Sequence, residues 1–96
     1  ITLGINQVGH IGGTGDVDLF KLVLGQPGNL TVESAGTTDL VGELLDSGGT
    51  TLASNDDAAG WYNFRIQHTV VAGTYYVRVK HCCAGGGSYS LATGLN

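Results

Sequence analysis

Charge is scarce in this chain: Asp, Glu, Lys and Arg make up 12% of its 96 residues. Basic residues are the scarcest, with four Lys and Arg against eight Asp and Glu and a formal charge of −4. That balance disfavours nucleic acid, because neutralising phosphates takes a cluster of Lys and Arg. Anionic membrane surfaces are disfavoured for the same reason. Long apolar runs are missing too, and none approaches the ~20 residues of a membrane-spanning helix. The opening Ile1-Thr2-Leu3-Gly4-Ile5 lacks the basic start of a signal peptide, so a mature fragment or an excised domain is expected.

Catalytic signatures are absent as well. There is no Gly-x-Ser-x-Gly elbow and no His-Glu-x-x-His pair. His10, His68 and His81 sit among many Ser, Thr and Asp residues at no diagnostic spacing, and so little charge leaves little with which to tune a pKa. His68 falls in phase with Phe64 and Ile66, which suits a partly buried, hydrogen-bonded side chain better than a base. The chain is therefore expected not to be an enzyme. Zinc is disfavoured, since only His81 stands near the cysteines and no Cys-x-x-Cys occurs. No Asp-x-Asp-x-Asp-Gly loop is present, which removes an EF-hand.

Glycine, by contrast, is abundant at 17 positions. It is spread along the chain, with Thr and Val crowding the segments between, a pattern that opposes helix and suits short strands. A hydrophobic content of 42% is enough for a core and argues against disorder. The clearest strand is Gly73 to Lys80, where Tyr75, Val77 and Val79 face one way and Tyr76, Arg78 and Lys80 the other. Ser88 to Thr93 alternates again after the turn His81 to Gly87, and the two segments read as a hairpin.

The same alternation marks the rest of the chain. Ile1 to Ile5 reads as a first strand and Gln7 to Ile11 as a short one at an edge. Asp18 to Leu24 carries Phe20, Leu22 and Leu24 on one face; Asn29 to Glu33 turns Leu30 and Val32 inward. Leu40 to Asp46 has an ambiguous inner side, because Leu40, Gly42 and Leu44 oppose Val41, Glu43 and Leu45. Thr50 to Ser54 forms its hairpin partner across Ser47-Gly48-Gly49. Asn63 to Val70 sets Phe64, Ile66, His68 and Val70 on one side. Eight or nine short strands at this spacing predict an all-β, antiparallel β-sandwich forming a single domain over residues 1–96.

Several motifs resemble the bacterial pre-peptidase C-terminal domain family. They are Gly15-Asp16-Val17-Asp18-Leu19-Phe20, Gln26-Pro27-Gly28-Asn29-Leu30-Thr31-Val32, Glu43 to Thr50, Leu52 to Asp57, Ala72 to Val79, and Gly87-Ser88-Tyr89-Ser90-Leu91. Their order covers Thr14 to Thr93. The resemblance implies a jelly-roll-like sandwich of about eight strands attached to secreted bacterial hydrolases, often proteases. It implies an extracellular, non-catalytic accessory role in export, stability or substrate targeting, with the catalytic domain of the parent chain as neighbour. Collagenase members add substrate binding and calcium.

Three groups of residues are candidates for a site. Asp16, Asp18, Asp56 and Asp57 cluster in loops or at their margins. They either accept backbone N–H bonds and shape turns or supply oxygens to calcium. Cys82 and Cys83 are adjacent, at a Cα separation of ~3.8 Å, below the usual disulfide range of about 4.4–6.8 Å. A vicinal disulfide in a secreted domain is one reading; two free thiols or an intermolecular bridge are the others. Trp61 and Tyr62 follow Gly60 where the family usually has small polar residues. Trp61 either caps the core or stacks on a ligand such as a sugar ring. Trp61, Tyr62, Cys82 and Cys83 together are expected to form one site at an end of the sandwich. Its ligand would be a polysaccharide or a fibrous protein, and a dedicated carbohydrate-binding module is the alternative function.

Overall fold

Apolar side chains at every second position become strands wherever two such faces close over each other. The computed structural model describes residues 7–12, 16–56, 62–82 and 85–96. Within them run eight strands: β1 (Gln7–Ile11), β2 (Val17–Leu24), β3 (Gly28–Ala35), β4 (Leu40–Asp46), β5 (Thr51–Asn55), β6 (Arg65–Val70), β7 (Gly73–His81) and β8 (Gly87–Leu95). Two four-stranded sheets form, in the orders β1-β8-β3-β6 and β2-β7-β4-β5, with every pairing antiparallel. This is the eight-stranded jelly-roll order, in which the chain crosses between sheets at nearly every connection. The strand expected at Ile1 to Ile5 lies outside the described residues.

The core lies between the sheets. Leu30, Val32, Leu40, Leu44, Phe64, Val77 and Val79 are fully buried, and Leu22, Leu24, Ile66 and Leu91 nearly so. Each such side chain stabilises the fold by about 1.5–3 kcal/mol relative to exposure. The ambiguous strand β4 turns Leu40, Gly42 and Leu44 inward. Gly42 belongs on that face because the Phe64 ring lies over it: a Cβ there would stand 2.2 Å from the ring. The β4–β5 hairpin turns at Ser47 to Gly49, where Gly49 has φ +87°. Asp46 Oδ1 fixes the turn by accepting from the N–H groups of Gly48 and Thr50, both at 2.9 Å.

One pairing differs from the sequence reading. β7 and β8 do not form a hairpin: β7 pairs with β2 and β4, and β8 with β1 and β3. Alternation shows that a strand has a buried face but not which strand lies beside it. Here the connection crosses the end of the sandwich. Cys82 N–H continues the β7–β4 ladder to the carbonyl of Asp39 at 3.0 Å. On the other side Thr38 Oγ1 donates to the carbonyl of Ser88 at 2.7 Å.

Candidate functional site

The jelly-roll order decides which loops meet. β2 and β4 begin, and β5 and β7 end, at one end of their sheet; in the opposite sheet β1 and β3 end, and β6 and β8 begin, at that same end. The connections holding Asp16, Asp56, Tyr62 and Cys82 therefore share one end of the sandwich. Tyr62 is 44% exposed there. Cys82 is half-buried and disulfide-bonded. Trp61, Cys83 and Asp57 lie outside the described residues.

Asp16 and Asp18 each accept a hydrogen bond from the protein. Asp16 Oδ2 accepts from Gly12 N–H at 2.6 Å and closes the β1–β2 connection. Asp18 points between the sheets, where Tyr89 O–H donates to its Oδ2 at 2.5 Å. Burial first, then this bond and the negative charges of Asp18 and Asp16, push the Tyr89 phenol well above its ordinary value. Asp56 is exposed beyond β5. No three His, Cys, Asp or Glu side chains come together among the described residues. Asp39, which the sequence reading passed over, has its Oδ1 buried without a hydrogen-bond partner.

A second feature lies on the outer face of the β2-β7-β4-β5 sheet. A groove of about 460 Å³ runs between Val17 and Leu19 on one side and Leu45, Ser47, Gly48 and Gly49 on the other, over Tyr76 and Arg78. The register places Leu19 beside Arg78 and Arg78 beside Glu43, with Lys21, Tyr76 and Leu45 in the next row. Leu19 is 59% exposed, and Val17 and Val23 of the same strand are exposed with it. Arg78 binds Glu43 through two donors, Nε to Oε1 at 3.1 Å and a terminal nitrogen to Oε2 at 2.7 Å. Lys80 Nζ stands 3.5 Å from Glu43 Oε1. The Arg78 hydrogen bond chiefly, with both cations' charge, holds Glu43 below the usual carboxylate range although burial opposes it.

Sequence reasoning missed this groove, yet a signal was present. β2 is apolar on both faces, with Phe20, Leu22 and Leu24 inward and Val17, Leu19 and Val23 outward. A strand that needed only one buried face would alternate apolar with polar.

Comparison with known proteins agrees with the topology. The family model described as bacterial pre-peptidase C-terminal domain matches residues 16–81. No curated protein sequence matches the chain. Among solved structures, the pre-peptidase C-terminal domain of collagenase from Bacillus anthracis superposes with a TM-score of 0.80 at 18% identity, covering 97% of this chain and 90% of that one. A periplasmic inhibitor of g-type lysozyme from Aeromonas hydrophila gives 0.75 at 17% identity, over 96% and 85%. The mitogen of Yersinia pseudotuberculosis gives 0.67 at 17%, over 96% and 85%. At such identities the structural likeness is one of fold. No helix among the described residues is long and apolar enough to cross a membrane.

Proposed function

This chain belongs to the bacterial pre-peptidase C-terminal domain family, and on that premise we propose that it is a non-catalytic accessory domain of a secreted bacterial hydrolase. It keeps the catalytic domain of the parent chain close to a polymeric substrate. The outer-face groove carries this reading: Val17, Leu19 and Tyr76 present apolar surface beside Arg78 on a rigid sheet. Apolar walls with a few fixed polar groups are what a binding cleft needs. The test is co-sedimentation of the domain with insoluble collagen, cellulose, chitin and xylan. Retention on one of these polymers, lost in Leu19→Asp, is expected. If none retains the domain, and deleting it leaves the parent enzyme's activity on insoluble substrate unchanged, the targeting role is wrong.

A second reading places a polysaccharide at the loop end. Tyr62 is exposed there, at the same end as the disulfide-bonded Cys82. In this reading Cys82 is bonded to Cys83, and that ring with Trp61 and Tyr62 forms a flat apolar platform for sugar C–H groups. It predicts that Trp61→Ala and Tyr62→Ala lose retention on a polysaccharide while Leu19→Asp keeps it. The opposite pattern assigns binding to the groove.

A further inference from the structure

We propose that β2 pairs edge to edge with β2 of a second copy of this chain, antiparallel about a twofold axis at Phe20, so that the two β2-β7-β4-β5 sheets join into one continuous sheet. The dimer is separate from polymer binding in the groove and stands or falls without it.

Among the described residues, β2 pairs with β7 alone and ends its sheet. In an antiparallel pair every second residue turns its N–H and C=O away from the partner, so half of the backbone groups of β2 point outward from the edge. A long, apolar edge of this kind is a template for another strand, and natural proteins usually shorten it or charge it. β2 has eight residues, and Val17, Leu19 and Val23 of its outer row are 45%, 59% and 63% exposed. The other edges are shorter or more polar: β1 and β5 have five residues each, and β6 exposes Arg65, Gln67 and Thr69. On the inner row, Phe20 packs against the core yet is only partly buried.

Pattern selects the occupant. An open strand edge takes an extended segment. Charge does not choose it, because Glu43 already holds both Arg78 and Lys80. The segment that fits carries branched aliphatic side chains at alternate positions, and β2 is itself such a segment. Opposed residues of an antiparallel pair share a face, so a continuous sheet must match outer row with outer row. A twofold axis at Phe20 sets Val17 against Val23 of the partner subunit, and Leu19 against Lys21 of the partner subunit. An axis at Lys21 would oppose two lysines, which is destabilising. An axis at Leu19 would run Val23 past the start of the other β2. Eight residues at about 3.4 Å each make a contact roughly 27 Å long. One strand edge is a small interface, so the expected Kd lies between about 1 μM and 1 mM.

Sedimentation velocity over a concentration series of the 96-residue chain, with amide hydrogen exchange followed by NMR, tests this. The chain is expected to pass from monomer to dimer between about 1 μM and 1 mM. Every second amide of β2 is expected to gain protection in the concentrated sample. Position 19 reads the register. Leu19→Lys opposes lysine to lysine at two places related by the twofold axis, and is expected to weaken the dimer about two- to thirtyfold. Leu19→Asp sets a carboxylate across from Lys21 of the partner subunit, and is expected to keep the dimer at parent strength or better. Circular dichroism should not change in either variant, because Leu19 is exposed. A monomer at every concentration overturns the proposal, whether the β2 amides exchange fast or are already protected from within the chain. A dimer that Leu19→Asp and Leu19→Lys dissolve alike, with the β2 amides unprotected, is a contact between outer faces and also overturns it. Retention of a strictly monomeric chain on an insoluble polymer removes this inference and leaves the accessory role standing.

Discussion

The ring of Tyr89 occupies the space beside Gly9 that any side chain there would need: a Cβ on Gly9 would stand 2.3 Å from Tyr89 Cζ. The two residues are directly opposed in the β1–β8 ladder. The glycine lets the ring lie across β1, meet Phe20 edge-on at a centroid distance of 6.5 Å, and reach Asp18 in the other sheet. Gly9→Ala is therefore expected to lower stability by about 1–3 kcal/mol, the usual cost of overpacking. Tyr89→Phe keeps the ring and removes the donor to Asp18, at a cost of about 1–3 kcal/mol for an acceptor left without a partner. Urea unfolding measures both. A neutral Gly9→Ala would mean that the ring does not lie across β1.

The same tyrosine sets an alkaline limit. Its phenol keeps its proton in the folded state at a pH where the unfolded chain, with the ordinary value of 10.0, loses it. The unfolded state then binds fewer protons, so stability falls as pH rises. The contribution is complete below pH ~10 and declines above it. Stability measured against pH should decline less steeply in Tyr89→Phe. An identical slope in the two proteins would show that Tyr89 ionises freely when folded.

Gly42 and Phe64 repeat the device between the sheets. Gly42→Ala forces the alanine methyl into the Phe64 ring and is expected to cost about 1–3 kcal/mol. Phe64→Leu shrinks the fully buried ring and is also destabilising. In the double variant the smaller side chain makes room for the methyl group, so the combined loss should fall short of the sum by about 0.5 kcal/mol or more. Strict additivity would mean that the two residues do not share that space.

The buried half of this fold was legible in the sequence because it depends on a period of two. Phe20, Leu22 and Leu24, or Tyr75, Val77 and Val79, declare a face without reference to any partner. The inner side of β4 was not legible, because Gly42 counts as apolar only once Phe64 is seen to cover it. Strand partners were hidden for a related reason: the stretch from His81 to Gly87 serves as well for crossing between sheets as for a hairpin. Tyr62 and Cys82 were picked out by residue type, but that their connections share one end depends on jelly-roll order, which no local pattern declares. Leu19 and Arg78 went unnoticed because the groove is made by three strands distant in sequence.

Acid should act through Glu43. Its carboxyl is held below the ordinary 4.5, chiefly by the Arg78 hydrogen bond. A lowered carboxylate contributes stability that is present above the unfolded value and is lost as pH falls below it through the folded one. Glu43→Gln should therefore flatten the fall in stability below about pH 4.5. Lys80→Gln should flatten it less, since Lys80 is the more distant partner at 3.5 Å against 2.7 Å for Arg78. If Glu43→Gln and the parent lose stability in parallel, other groups govern acid unfolding.

Removal of calcium tests the acidic loops directly. A structural ion present at a hundred times its Kd adds about 2.7 kcal/mol. In a domain of this size that corresponds to roughly 10–20 °C in Tm. Asp16 and Asp18 already accept bonds from Gly12 N–H and Tyr89 O–H, and no three ligating side chains meet among the described residues. EDTA is therefore expected to move Tm by less than ~2 °C, well inside the shift a structural ion would give. A fall of ten degrees or more, reversed by added calcium, would show that an ion supports the loop end. Asp39 would then be the first residue to replace, because its Oδ1 is buried without a hydrogen-bond partner. Asp39→Asn should abolish the calcium response in that case, whereas Asp18→Asn should change stability equally with and without the metal.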